Sequence, residues 1–179
     1  MNFYTDRLFI RPVNIEDKAS IFRYRSDFET NIYQSSAIQS MEDIDGFFNK
    51  ISGEINVPGI WFQFVIIEQK SNLLIGDIGV HFLESDPENS QVEIGYTLDR
   101  NFRGKGYATE ALREIIDFLI HRLNKRRIIA SIDPANIKSI QLIERLGFRK
   151  EAHFIESLFI HGKWVDDVIY AILAREWKS

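Results

Sequence analysis

The chain contains no cysteine, which excludes disulfides, a thiolate nucleophile and cysteine-based metal sites. Its four histidines lack the spacing of metal ligands, so we expect no metal site. No apolar run approaches the ~18 residues of a membrane span, and the opening MNFYTDRLFIRPV has no secretory hydrophobic region. We therefore expect a cytoplasmic protein that has no membrane partner.

The chain also has little net charge. The 22 Lys and Arg against 26 Asp and Glu give a net charge of -4, which disfavours a nucleic-acid partner and is compatible with a cationic one. Hydrophobic residues make up 45% of the chain and charged residues 27%, as in folded proteins. The 179 residues suffice for a full core, and we predict one domain over residues 1–179.

The first sixty residues predict a strand and two helices. Arg7–Pro12 alternates apolar with basic residues and ends at proline, which predicts a first strand. Asn14 is the predicted cap of a helix that runs from about Ile15 to Arg25. A second helix is predicted after Ser40. Apolar residues then follow at helical spacing: Ile44, Phe47, Phe48, Ile51 and Ile55. The irregular segment Phe28–Gln39 fits either a substrate-side loop or an ordinary connector.

Three strand-like runs come next, at Trp61–Glu68, Leu73–Phe82 and Gln91–Leu98. The links between them are short and rich in turn residues, which predicts an antiparallel meander. A helical pattern from Ala108 to Leu123 and a strand at Arg127–Ile132 then complete a βαβ unit, so the strands on either side of that helix should be parallel.

A short helix that begins near Asn136 and ends at Gly147 precedes two last strands, Phe148–Leu158 and Trp164–Leu173. The predicted fold is α+β. It combines a mixed, mostly antiparallel sheet of about seven strands with about four helices, and the parallel βαβ unit lies at the centre of the sheet.

The strand-to-helix turn of the βαβ unit carries Arg103, Gly104, Lys105 and Gly106. Two glycines one residue apart permit a tight turn and the close approach of a ligand. The first amides of the following helix lack intrahelical partners and lie at the positive end of its dipole, so a phosphate or diphosphate is the expected guest. The dinucleotide fingerprint is incomplete because its third glycine is missing, and the nucleotide P-loop motif is absent.

The run Asn101–Ala111, NFRGKGYATEA, resembles the acyl-CoA diphosphate loop of the GNAT N-acetyltransferases. Asn136-x-x-Ser139 followed by Gly147-Phe148 resembles their second cofactor motif. Residues 5–12 and 162–166 resemble the RimJ/RimL-like branch, which modifies protein N-termini among other amines. The resemblance implies a GNAT-like fold, acetyl-CoA as the donor, and a small-molecule amine or a protein N-terminus as the acceptor.

The same resemblance implies where the donor binds. Its diphosphate would lie on the loop residues Arg103, Gly104, Lys105, Gly106, Tyr107 and Ala108. Thr97 and Leu98 would border a gap between two parallel strands that holds the pantetheine arm. Asn136 would contact pantetheine, although a helix cap alone also explains this residue. A solvated basic loop is an equally good explanation of the two cations, Arg103 and Lys105.

Ser139 and Glu93 are the candidate catalytic residues. Ser139 falls near the expected thioester sulfur, so its hydroxyl is either a donor to the leaving thiolate or an ordinary first-turn residue. Many relatives place a tyrosine acid four residues later, where this chain has Ile143. Glu93 is the first candidate base because it alternates away from its apolar strand neighbours, and a solvent-facing glutamate is the alternative. Glu156 in the penultimate strand is the second candidate. RimL-like relatives can place a glutamate base slightly later in this strand, but this chain has Leu158 there, so that implication of the resemblance fails.

The acceptor is not identified by the sequence. Aromatic residues that could line its pocket, although strand aromatics usually belong to the core, are Phe28, Tyr33, Trp61, Phe62, His81 and Trp164. A monomer and a homodimer are both compatible with the sequence. Two other functions stay open: a non-catalytic acyl-CoA sensor or scaffold, which the missing tyrosine favours, and a dinucleotide-dependent enzyme.

Overall fold

The computed structural model describes residues 1–34 and 38–178. Its strands form one mixed sheet in the order β1-β2-β3-β4-β5-β6-β8-β7. The strands are β1 Phe3–Tyr4, β2 Leu8–Pro12, β3 Trp61–Glu68, β4 Leu73–Phe82, β5 Gln91–Leu98, β6 Arg127–Ile132, β7 Arg149–Ile160 and β8 Lys163–Leu173. The helices are α1 Lys18–Arg25, α2 Phe28–Asn31, α3 Met41–Asn49, α4 Tyr107–His121 and α5 Ile137–Arg145.

The topology confirms the predicted α+β fold. Strands β2 to β5 form an antiparallel meander, β5 and β6 are parallel, and β8 pairs antiparallel with both β6 and β7. The sheet of the described chain has eight strands rather than about seven. The additional strand is the two-residue β1, which is too short to show an alternation of apolar and polar residues.

The helix starts agree with their predicted caps, but two helical segments differ from expectation. Asn14 caps a 3₁₀ turn at Ile15–Asp17 that leads into α1, and Ser40 forms a capping box with Asp43. The helix after Ser40 ends at Asn49, so it is shorter than the helix predicted from the apolar spacing, which continued to Ile55. Ile51 instead forms a β-bridge with Trp61, and Ile55 lies outside any helix.

The segment Phe28–Gln39 was predicted to be irregular, and this is wrong at its start, because Phe28–Asn31 is the short helix α2. Asp27 caps this helix by accepting a hydrogen bond from the Thr30 backbone N–H at 2.9 Å. Residues 35–37 of the same segment lie outside the described residues.

The two faces of the sheet are covered by different helices. The larger core lies between the sheet and α4 and α5, where Leu112, Ile115 and Leu119 of α4 are fully buried. A smaller cluster on the other face contains Ile21 and Tyr24 of α1, which pack with residues of α3, β3 and β4. Among the described helices, none has the length and apolarity that a bilayer crossing demands.

A buried ionic network fixes α1 to β4. Asp77 is fully buried and accepts hydrogen bonds from Arg25 Nε at 2.9 Å and Nη2 at 2.5 Å, from Gln63 Nε2 at 2.5 Å, and from the Tyr24 hydroxyl. The Arg25 guanidinium also lies 4.7 Å from the centre of the Phe47 ring. Every charge in this network therefore has a partner within the protein.

The parallel strands β5 and β6 pair over a short distance only. Their register joins Gln91–Glu93 to Arg127–Ile129, and no pair between them is found beyond these residues in the described chain. The remainder of β5 stays paired with β4 on its other side. The two strands therefore diverge, and the divergence opens the centre of the sheet.

Candidate active site

A cleft of about 1230 Å³ lies where β5 and β6 diverge. Its walls are residues 93–98 of β5, residues 130–132 of β6, and the first turns of α4 and α5. This volume exceeds that of an ordinary small-ligand pocket, which is at most roughly 1,000 Å³. The cleft can therefore hold a long ligand or two ligands together.

At one end of the cleft the glycine loop leads into α4. Gly104 and Gly106 have positive φ angles of 75° and 83°, which glycine adopts without strain. A Cβ at Gly104 would meet nothing within 4 Å, and Gly106, the residue before α4, makes no side-chain cap. The first amides of α4 are therefore open to an anion.

Arg7 holds this loop in place. Its Nη1 donates to the Lys105 carbonyl at 2.8 Å, its Nε donates to Glu110 Oε2 at 2.7 Å, and its guanidinium lies 4.5 Å from the centre of the Tyr107 ring. Glu110 belongs to the first turn of α4, so the strand–helix turn is fixed from both sides.

The two loop cations make contacts within the protein. Arg103 Nε donates to the Leu98 carbonyl at 3.1 Å, and its Nη2 donates to the Thr30 carbonyl at 3.2 Å. Lys105 Nζ donates to the Asn101 carbonyl at 3.1 Å. Arg103 lines the cleft, whereas Lys105 is absent from its wall.

On the α5 side, Asn136 caps the helix by accepting a hydrogen bond from the Ser139 backbone N–H at 3.2 Å. The Ser139 hydroxyl lies 2.5 Å from the Tyr96 hydroxyl, and either oxygen can be the donor. Burial raises the pKa of Tyr96 to about 12, although the hydrogen bond with Ser139 and the charge of Arg145 act in the opposite direction. Tyr96 therefore stays protonated at neutral pH and remains able to donate.

Glu93 lies on the other face of β5, half-buried in the wall of the cleft. Burial raises its pKa, and the nearby charge of Asp167 raises it further. Asp167 of β8 is 7% exposed, lines the same cleft, and accepts a hydrogen bond from Ser131 Oγ at 2.8 Å. Two carboxylates therefore lie close together in this part of the cleft.

The structure places most of the other predicted site residues in the cleft wall as well. They are Thr97, Leu98, Gly104, Gly106, Tyr107, Ala108, Asn136 and Ser139. Glu156 is not among the lining residues and instead donates its backbone N–H to Asp166 Oδ1 at 2.9 Å. Leu158 does line the cleft.

Of the aromatic candidates for the acceptor pocket, Tyr33 and Trp61 line the cleft. His81 stacks on Trp61 with 4.9 Å between ring centres, and Phe62 belongs to the large core. Phe28 and Trp164 are exposed to solvent and are not among the lining residues.

Comparison with known proteins identifies the family. Residues 7–149 match the acetyltransferase (GNAT) domain family. This chain belongs to the GNAT acetyltransferases. The GNAT chain is 34% identical over 176 residues to an uncharacterized N-acetyltransferase, p20, of Bacillus licheniformis, and the match covers 97% of each chain.

Two further proteins are similar to this chain in structure or in sequence. A GNAT-family acetyltransferase of Bacillus anthracis shares the fold with a TM-score of 0.85 and 30% identity, covering 98% of this chain and all of the other. The [ribosomal protein uS5]-alanine N-acetyltransferase of Escherichia coli is 36% identical over 84 residues, which is 47% of this chain and 43% of that protein. The predicted resemblance to ribosomal-protein N-acetyltransferases is therefore confirmed.

GNAT enzymes take the acetyl group from acetyl-CoA, and this chain is an N-acetyltransferase. The cleft has the features that this donor needs. The uncapped amides of α4 suit its diphosphate, and the gap between β5 and β6 offers a path for its pantetheine arm.

Sequence reasoning missed three residues of this GNAT site. Tyr96 was given no role, since it alternates with Glu93 on the apolar side of its strand, and Arg7 was noticed as part of a motif without a structural role. Asp167 was not considered, although two consecutive acids in an otherwise apolar strand were a usable signal. Each of the three makes a contact that joins distant parts of the chain.

Proposed function

We propose that this GNAT domain acetylates a primary amine by direct attack of the amine on the acetyl-CoA thioester within a ternary complex. The supporting observation is that one continuous cleft joins the open amides of α4, the Ser139 hydroxyl and the Glu93 carboxylate. A donor and an acceptor can meet there without an enzyme nucleophile, and the chain has no cysteine to supply one.

On the donor side, the backbone amides from Gly104 to Ala108 bind the diphosphate, and Arg7 holds them in position. Thr97 and Leu98 border the pantetheine arm where β5 leaves β6. Asn136 fixes the start of α5 and so positions Ser139. In this arrangement Arg103 and Lys105 contribute charge near the loop while their side chains brace it.

On the acceptor side, the attacking nitrogen has to lose a proton, because a lysine-like amine has a pKa of ~10.4 and an α-amine one of ~8. Glu93 accepts that proton, directly or through water. The nitrogen–carbon bond forms, the carbon–sulfur bond breaks, and the nitrogen gives up its second proton, which converts the leaving thiolate into free thiol. The leaving thiolate takes a hydrogen bond from Ser139, whose oxygen can in turn accept one from Tyr96.

A second candidate function is an acyl-CoA-binding module without turnover. It is favoured by Ile143, which stands where many family members have a tyrosine acid and is fully buried here. The arrangement around Tyr96 offers another hydroxyl on the sulfur side, so we favour the enzyme.

Release of free thiol from acetyl-CoA across a panel of amines tests the proposal. The panel contains alkylamines, polyamines, amino acids, aminoglycosides and a peptide with an N-terminal alanine, the residue named for the E. coli relative. We expect thiol release with at least one class. Tight CoA binding without thiol release for every amine would favour the binding module instead.

A further inference from the structure

The buried acids of this protein differ in what surrounds them. Among residues 1–34 and 38–178, six acidic residues are buried, namely Asp17, Glu68, Asp77, Asp86, Asp99 and Asp167. Three of them form ion pairs with arginines: Asp17 with Arg11, Asp77 with Arg25 and Asp99 with Arg23. A buried carboxylate needs such compensation, because the loss of hydration is costly.

Two of the others are compensated by hydrogen bonds within their own loops. Asp86 accepts from the backbone amides of Glu88, Ser90 and Gln91, and Glu68 accepts from both the amide and the hydroxyl of Ser71.

Asp167 is the exception among these six. Within the described residues, its sole hydrogen bond is from Ser131 Oγ, and it forms no ion pair. The residue as a whole is only 7% exposed and belongs to the wall of the cleft. This carboxylate therefore lies in the cleft wall with one hydroxyl donor and no counter-charge from the described residues, a position where a cationic ligand would compensate it.

The groups around Asp167 add negative charge and hydrogen-bonding capacity without adding a cation. The alternation of β5, β6 and β8 puts Glu93, Ser131 and Asp167 on the same face of the sheet. Glu93 adds a second carboxylate, and no cation of the described chain pairs with it. Thr97, on the same face of β5, is 3% exposed, and its hydroxyl oxygen lacks a partner among the described residues.

The character of the cleft indicates which cation would fit. Tyr33 and Trp61 line it, and aromatic rings favour alkylammonium ions. A metal ion would need further ligands, and no group of three or more suitable side chains is found among the described residues.

We propose that Asp167 and Glu93 form a binding site for the ammonium group of the acceptor, which is therefore an aliphatic amine that enters the cleft as a cation. This inference rests on the proposed function, whose reaction supplies the amine. The ammonium binds between the two carboxylates and passes one proton to Glu93. The neutral nitrogen then attacks the thioester, its second proton is transferred to the departing sulfur, and the carbon–sulfur bond breaks to release the thiol. The neutral amide no longer fits a site built for a cation.

Asp167→Asn tests the site, because it removes the charge and retains the acceptor oxygen for Ser131. In the ligand-free protein we expect this variant to raise Tm by about 2–4 °C, since an uncompensated buried charge is removed. In wild type saturated with CoA, n-butylammonium and 1,4-diaminobutane chlorides should raise Tm relative to sodium and magnesium chloride of equal ionic strength. Asp167→Asn should abolish that ammonium-specific shift.

Asp166→Asn is the matched control, because Asp166 is one residue earlier on β8 and lines the same cleft. The Asp166 carboxylate is already engaged by His153 Nε2 at 2.8 Å and by the Glu156 amide at 2.9 Å. We expect this variant to keep the ammonium-specific shift in Tm.

Turnover provides a second readout. Asp167→Asn should lower kcat/KM for alkylamines by about 10- to 100-fold and leave the Kd of CoA unchanged. If wild type releases no thiol with any amine, the proposed function fails, while the thermal measurements still decide the ammonium site. A lower Tm for ligand-free Asp167→Asn, an ammonium shift that persists in it, or a larger shift with magnesium would each overturn the site.

Discussion

Asp77 on β4 and Asp167 on β8 are both buried carboxylates on one face of the same sheet, but their surroundings differ. Asp77 is bound by an arginine, a glutamine and a tyrosine, whereas Asp167 has one serine hydroxyl. The helix starts show the same contrast, because α3 has a complete capping box and α4 has no side-chain cap. The carboxylate that joins α1 to β4 is thus satisfied within the chain, whereas the Asp167 carboxylate and the first amides of α4 lie in the cleft wall with few or no side-chain partners.

The largest effect on stability is expected for Asp77, whose carboxylate has all its partners within the protein. Asp77→Asn leaves the buried Arg25 guanidinium without its counter-charge, so we expect the free energy of unfolding to fall by about 3–5 kcal/mol. Urea denaturation at neutral pH measures this change. Asp45→Asn is the control, because Asp45 is half exposed in a surface pair with Lys18 and should matter little. The contrast between the two buried acids breaks down if Asp77→Asn, like Asp167→Asn, raises stability.

Glu93→Gln tests the role in catalysis of the cleft carboxylate that lies beside Asp167. We expect kcat to fall by about 10²-fold or more, with an unchanged Kd for CoA, because the variant cannot take the proton of the amine. Thiol release at saturating acetyl-CoA measures the first quantity and calorimetry the second. Glu156→Gln, outside the cleft, should keep the wild-type rate. A full rate in Glu93→Gln would remove Glu93 from the mechanism.

The pH dependence follows from the raised pKa of Glu93. The reaction needs the ionised form, so kcat/KM should fall as the pH drops through a value above that of an ordinary glutamate. Other titratable groups around it are Asp167 on β8, His81 beside it on β4, and Tyr33 in the cleft wall. Asp167→Asn should move the acidic limb to lower pH, because the charge that raises the pKa is gone.

The stability contribution of Glu93 has the opposite sign. Because its pKa is higher in the folded than in the unfolded state, its stabilising contribution is present below the unfolded pKa and is lost as the pH rises through the folded one. Glu93→Gln should therefore gain stability relative to wild type as the pH rises from 4 to 7.

Gly106→Asp tests the open helix start at the other end of the cleft. The new carboxylate would face the α4 amides, and its Cβ would lie 3.3 Å from Arg7 Nη2, so we expect CoA affinity to fall by about 100-fold or more. Isothermal titration measures the affinity. Gly162→Asp is the control, because Gly162 has a similar φ of 79° in the β7–β8 turn, far along the chain from the loop. Equal CoA affinity in Gly106→Asp and wild type would contradict the diphosphate placement.

The sequence was sufficient for the features that depend on local pattern. The strands from β3 to β6 alternate or run apolar over six or more residues, and the caps at Asn14 and Ser40 are short-range signals. The glycine loop was equally readable, since its function follows from the backbone of consecutive residues. The sequence did not predict elements of two to four residues, such as β1 and α2, because they are too short to show a period.

The residues that complete the site could not be found in this way. Asp167 meets Ser131 and Glu93 because β8 pairs with β6 and β6 with β5, a register set by the whole sheet. Tyr96 could not be identified because periodicity does not show that β5 leaves β6 after Glu93 and so admits the Tyr96 hydroxyl to the cleft. Such contacts join residues 36 to 43 positions apart in sequence, beyond the reach of local pattern.

Tyr96→Phe should have the smallest effect and tests whether a hydroxyl pair within the cleft serves the fold or the reaction. Phenylalanine keeps the packing but removes the partner that orients Ser139, so we expect kcat to fall by about 10-fold with an unchanged Kd for CoA. Tyr170→Phe is matched, because the Tyr170 hydroxyl also bonds to α5, at Glu144, and lies outside the cleft. It should leave kcat unchanged.

Combining Tyr96→Phe with Ser139→Ala shows whether Tyr96 positions the Ser139 hydroxyl or acts on the leaving sulfur independently of Ser139. If Tyr96 acts by turning the Ser139 hydroxyl toward the sulfur, removing it should matter little once that hydroxyl is gone, so the two losses will be strongly non-additive. Fully additive losses would mean that Tyr96 reaches the leaving group by itself. A loss of stability in Tyr96→Phe with no change in kcat would instead assign the pair to the fold, alongside Asp77 rather than Asp167.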